Sequence, residues 1–135
     1  MDERKSLEDN GMCFACGKQN DKGLHLAFSF NEQERHVETT FVPLDVHQGW
    51  QGVVHGGIIA TLMDEAMAKL THFLGFHALT ASLDVRFKDV AKTGEPLHVK
   101  AEVAKLTKKL IYARAVINRS DGDVVAEAQS KLMIM

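Results

Sequence analysis

The sequence predicts an α+β domain in which one long helix lies against a strongly curved antiparallel sheet of about six strands. Three observations carry that prediction. One segment of helical periodicity, 58–74, stands among six runs of strand-like alternation. The last four of these runs follow one another through links too short for a crossover, which favours antiparallel pairing. The 135 residues and 45% apolar content suit one domain with a sizeable core. A single helix covers only one face of such a sheet, so the other face or an edge strand is expected to be buried by a second copy of the chain.

Residues 1–23 are polar and carry Gly11, Gly17, Gly23 and the pair Asn20-Asp21, so they read as an irregular lead-in to a domain at 24–135. Within the lead-in, Cys13 and Cys16 form one C-x-x-C pair followed by Gly17. A structural segment, half of a metal site and a redox pair are the three readings. Redox motifs sit beside βαβ units, which do not follow here, and zinc prefers four ligands, of which only His25 is near enough in sequence to be a third. The structural reading is favoured.

From Leu24 the pattern changes. Leu24, Leu26, Phe28 and Phe30 alternate with His25, Ala27, Ser29 and Asn31, as in a half-buried strand. A turn at 31–34 leads to a second strand with Val37, Thr39 and Phe41 on one side. Pro43, Gly49 and Gly52 mark a long loop into the helix, and Gly75 stands where a helix would close. Four further runs follow at 79–88, 97–106, 110–118 and 124–134, separated by turn signals at 92–95, 108–109 and 121–122. Asp121-Gly122 between alternating runs is a strong hairpin signal.

The chemistry concentrates where loop meets helix. Gly52-Val53-Val54-His55-Gly56-Gly57 delivers a histidine to a helix start. Two glycines leave the backbone open to a ligand, and the first N–H groups of a helix point toward developing negative charge, so this is the makings of an oxyanion site. On the helical wheel, Ile58, Ile59, Leu62, Met63, Ala66, Met67, Leu70, Phe73 and Leu74 form a core face. Glu65 lies a quarter-turn off it, spaced to pair with Lys69, and reads as a solvated structural residue. Asp64 lies on the other side, between Ala60 and Ala68 and away from any basic residue. It either points into water or is held for chemistry. Trp50, Met63 and Met67 read first as packing residues, and Arg86, Lys88, Lys108 and Lys109 as solvated charges.

A net charge of −2 excludes nucleic acid as an expected partner. The charged start, Met1-Asp2-Glu3-Arg4-Lys5-Ser6, precedes no apolar run, so no signal peptide is expected. No stretch approaches the roughly 20 apolar residues of a membrane span. Cytoplasmic residence is the expectation.

The segment 47–66, from His47-Gln48-Gly49-Trp50 through His55-Gly56-Gly57 to Asp64-Glu65-Ala66, resembles the hot-dog-fold acyl-CoA thioesterases of the phenylacetate-pathway type, within the 4-hydroxybenzoyl-CoA thioesterase superfamily. Cys13-Phe14-Ala15-Cys16-Gly17 through Gly23-Leu24, the link Val90-Ala91-Lys92-Thr93-Gly94-Glu95 and the run 122–128 extend the resemblance from about residue 13 to the C-terminus. It implies a helix wrapped by a curved antiparallel sheet, a homodimer joined edge to edge with active sites at its interface, and pairing of dimers into a homotetramer.

The resemblance further implies hydrolysis of acyl-CoA to a carboxylic acid and free coenzyme A, with no metal and no organic cofactor. Gly57 would give the backbone N–H that polarises the thioester carbonyl, with Gly56 beside it against the substrate. His55 would position the loop and the acyl group, and Asp64 would be the catalytic carboxylate, as general base on water or as nucleophile. Relatives often carry an asparagine or glutamine about six residues before the histidine. Gly49 stands there, so Gln48 takes that role if the loop shifts by one. Thr80 would supply the hydroxyl that one branch carries on the strand after the helix. Simple alternation puts Thr80 in the row of Ser82, Asp84 and Arg86, so only a bulge at the strand start brings it to the site. The alternatives are a hot-dog hydratase or dehydratase and a non-catalytic acyl-CoA-binding module.

Overall fold

The computed structural model describes residues 7–135, so the charged start at 1–6 and the reading made of it lie outside the described residues. Six strands, β1 (Ser29–Asn31), β2 (His36–Phe41), β3 (Ala78–Phe87), β4 (Leu97–Leu106), β5 (Leu110–Arg119) and β6 (Val124–Ile134), form one antiparallel sheet in the order β1-β2-β4-β5-β6-β3. The helix α1 (Gly56–Phe73) packs across it, touching every strand from β2 to β6. This is the predicted fold. The four C-terminal strands agree with the sequence runs to within about one residue.

The core is the seam between helix and sheet. Leu62, Met63, Ala66, Met67 and Leu70 are fully buried from the helix side, against Val37, Val99, Ile111, Ile117, Val125 and Leu132 from alternate positions of the strands. Deleting one such side chain costs about 2–5 kcal/mol. Ser130 donates its hydroxyl to the Met67 sulfur at 3.2 Å, and no buried side-chain polar atom among the described residues lacks a partner. The outer face of the sheet is polar, with Arg114 paired to Glu102 at 2.6 Å. Gly75 closes the helix at φ +92°, its N–H donating to His72 O at 3.0 Å. No helix of the described residues is long and apolar enough to cross a membrane.

Two expectations are corrected. The strand expected from Leu24 begins only at Ser29. Leu24 and Leu26 are buried as their alternation requires, but their N–H groups donate to the carbonyls of Phe14 and Ala15 at 2.8 and 2.9 Å. Alternation reports which side chains are covered, and the covering backbone here is the lead-in, not the sheet. Glu65 is the second correction. It is half-buried and faces Cys13 and Cys16 instead of standing in solvent.

Candidate active site

The loop that precedes α1 is held from two directions. Gln48 and Val54 form an antiparallel bridge, and the Gly49 N–H donates to Val53 O at 2.8 Å. The Gln48 side chain accepts from the Gly52 N–H at 3.0 Å, so it pins the loop. Gly52 itself adopts φ +73°, a turn that favours glycine. The link at 90–94 holds the other side, through Val54 N–H to Ala91 O at 2.8 Å and Thr93 N–H to Gly52 O at 3.1 Å. One turn upstream, the Leu44 N–H donates to His47 Nδ1 at 2.9 Å, and burial pushes the His47 imidazole below its usual range.

These contacts set His55 at the N-cap of α1. Its backbone is extended, at φ −61° and ψ 135°, and its Nδ1 accepts from the Gly57 N–H at 2.8 Å. The proton of the neutral ring therefore sits on Nε2. The Gly57 N–H, expected to face substrate, is thus engaged by the chain's own imidazole, whereas the Gly56 N–H has no hydrogen-bond partner among the described residues. A Cβ on Gly57 would come within 3.0 Å of His55 Nδ1, and one on Gly56 would meet the Phe87 ring at 3.4 Å.

Asp64 sits two turns into the helix, half-buried between Ala60 and Ala68, and its Oδ1 accepts from the Thr80 hydroxyl at 2.7 Å. A bulge makes this contact possible. Pairing between β3 and β6 shifts register between Thr80 and Ser82, and the extra residue turns Thr80 toward the helix. The structure therefore brings together Asp64 with Thr80, and His55 with Gly56 and Gly57, while Gln48 serves the loop. Trp50, expected as a packing residue, is 86% exposed.

A second cluster lies about 100° round α1 from Asp64, where Cys13, Cys16 and Glu65 converge. Burial, then the Glu65 carboxylate, pushes the Cys16 thiol up to about 12. Burial raises Glu65 as well, with Cys16 and Lys69 acting against it. Sequence reasoning missed Glu65 because its helical spacing to Lys69 offers an adequate local partner, and nothing local reports the lead-in folding over it.

Residues 51–126 match the family described as the thioesterase superfamily. Acyl-coenzyme A thioesterase THEM5 of Mus musculus is 26% identical over 113 residues, covering 84% of this chain and 46% of that protein. Acyl-coenzyme A thioesterase 13 of Mus musculus is 28% identical over 86 residues, covering 62% of this chain and 61% of that one. The chain spans about half the length of the first of these relatives. Among solved structures, a Streptococcus mutans protein bound to acetyl CoA superposes with a TM-score of 0.76 at 22% identity, over 82% of this chain and 88% of that one. Zebra fish thioesterase superfamily member 2 gives 0.79 at 18% identity, over 89% and 90%. At such identities these two structures establish the fold alone, and it is the helix-and-curved-sheet fold described above. With more than half of its residues matching the family pattern, the chain belongs to the thioesterase superfamily.

Proposed function

We propose that the protein is an acyl-CoA thioesterase that converts acyl-CoA and water into a carboxylic acid and free coenzyme A. The observation that carries this reading is the Thr80-to-Asp64 hydrogen bond of 2.7 Å, which fixes a carboxylate between small side chains beside an open strand. The names of the curated relatives support it, as does the acetyl CoA bound to the Streptococcus mutans protein. Thioesters have little resonance stabilisation and a good leaving group. A carboxylate and an oxyanion donor therefore suffice, without a serine or cysteine nucleophile or a metal.

In this reading the thioester oxygen lies at the helix start. It meets the unengaged Gly56 N–H first, and the Gly57 N–H when the imidazole yields its bond. Asp64 either takes a proton from the attacking water or attacks directly to give a mixed anhydride that water then opens. In both routes the C–S bond breaks, the thiolate of coenzyme A leaves, and a proton from water restores its thiol. Thr80 orients the carboxylate, and Gln48 holds the loop that presents His55.

One chain does not complete this site. Asp64 follows Gly57 by seven residues, about 10 Å along the helix axis, whereas reacting groups need to lie about 3–3.5 Å apart. β3 runs back along α1, with Thr80 at Asp64 and Phe87 at Gly56, and its outer edge is unpaired among the described residues. Antiparallel pairing of β3 with β3 of a second copy would bring the carboxylate end of one chain to the helix start of the other. The working form is therefore a homodimer with two shared sites, pairing further into a homotetramer.

The test is thiol release from short, long and aromatic acyl-CoAs, comparing the native protein with Asp64→Ala. Release that falls by about 10²–10⁴-fold in a folded, acyl-CoA-binding variant supports the assignment and identifies the acyl class. No release from any substrate, with binding intact, would replace it with a binding module. Hydration of an unsaturated acyl chain without thiol release would replace it with a hydratase.

A further inference from the structure

The donor atoms of Cys13, Cys16 and Glu65 all lie within 4.8 Å of one another, where the lead-in meets α1 about 100° round the helix from Asp64. Two unconnected parts of the chain supply them, a C-x-x-C turn and a helix. The turn is built tightly. Gly17 N–H donates to Cys13 O at 2.8 Å, and Gln19 N–H returns to Gly11 O at 2.9 Å. A Cβ at Gly17 would stand 2.4–2.6 Å from Gly11 O, Cys13 N and Cys13 O, so only glycine allows the backbone to close under the two cysteines. The turn is anchored to the rest of the chain by Leu24 N–H to Phe14 O and Leu26 N–H to Ala15 O. Both cysteines are free thiols.

We infer that Cys13, Cys16 and Glu65 form a structural zinc site that clips the N-terminal turn to helix α1. Tetrahedral zinc, with bonds of about 2.3 Å to sulfur and 2.0–2.2 Å to oxygen, sets its ligand atoms roughly 3.5–3.8 Å apart. The 4.8 Å limit leaves a contraction of about 1.3 Å at most, within reach of side-chain rotation. Thiolate ligands select zinc over calcium and magnesium. The third ligand is not His25, the one near in sequence, whose ring nitrogens lie outside the cluster of donor atoms. Glu65 replaces it from the helix. On binding, each thiol gives its proton to solvent. Two thiolates and one carboxylate then leave a single negative charge around Zn²⁺, which Lys69, lining the same groove of about 510 Å³, offsets. The fourth position opens into that groove and is taken by water.

The experiment uses the full chain, stripped with a chelator and titrated with Zn²⁺ or Co²⁺ alone. One metal per chain is expected, with a thiolate-to-cobalt charge-transfer band, protection of both cysteines from alkylation by Zn²⁺, and a higher melting temperature. Cys16→Ser and Glu65→Ala are each expected to weaken binding by about 100-fold, at least the cost of losing an outer-shell partner. Alkylation protection and the cobalt band are read on the unmutated protein, so the test holds even where a variant fails to fold. No band and no protection at saturating metal would overturn the site. So would equal binding by Cys13→Ser/Cys16→Ser, or a purified chain already two hydrogens lighter as a Cys13–Cys16 disulfide. None of these readouts depends on thioester hydrolysis.

Discussion

Asp64 and Thr80 are joined by a hydrogen bond, and substitutions should separate the two roles proposed for them. Thr80→Val removes the hydroxyl that orients Asp64 and leaves the carboxylate in place. Its turnover is expected to fall by about tenfold, well short of the 10²–10⁴-fold expected for a lost general base. Equal losses from Thr80→Val and Asp64→Ala would mean that the hydroxyl itself touches substrate. His55 has a structural consequence as well, because it caps α1 through the Gly57 N–H. His55→Ala should cost about 0.5–2 kcal/mol in urea unfolding, the usual value of an N-cap. His47 gives the pH dependence. Its folded-state pKa lies below the unfolded value of about 6.5, so the folded state resists protonation there. That contribution to stability is fully present above about pH 6.5 and is lost as pH falls through the lowered value. Melting temperature should drop below that pH in the native protein and drop less in His47→Gln.

At the scale of elements, the Gly17 turn and the β3 bulge do what no periodicity describes. Gly17→Ala places a carbon against three backbone atoms that cannot rotate away, so the turn must open. The lead-in should then be cut by protease while the sheet resists, because β4, β5 and β6 pair with one another independently of residues 13–26. Protection unchanged in Gly17→Ala would show that the turn closes by another route. The bulge between Thr80 and Ser82 shows the limit of alternation. A period of two places each side chain by parity, and one extra residue reverses parity for everything beyond it.

The whole molecule leaves its most apolar edge open. Leu79, Leu83 and Phe87 on β3 are 41%, 37% and 57% exposed, and β3 is a terminal strand of the sheet. Exposed strands with apolar side chains invite pairing, which agrees with the dimer proposed here. Leu83→Lys is expected to shift the protein toward monomer in sedimentation equilibrium and to lower turnover in parallel, while Asp64 and His55 stay intact. A monomeric variant with full activity would sink the shared-site arrangement. Trp50 and Val46, on the loop before α1, are also exposed.

The sequence by itself determined the elements and their order. Helical and strand periods differ, and the turns at Gly75 and Asp121-Gly122 carry local backbone preferences, so the helix and the last four strands were legible from neighbouring residues. The His55-Gly56-Gly57 loop was equally legible, because a cap and a glycine pair are local chemistry. Tertiary structure alone decided which residues meet across the fold. It joined Thr80 to Asp64 through a bulge, gave the Gly57 N–H to His55 before any ligand, paired Leu24 and Leu26 with the lead-in, and set Glu65 against two cysteines fifty residues away in sequence. Those contacts depend on register and on packing between distant segments. The energy that fixes register and packing belongs to the whole core, so no single stretch of sequence carries it.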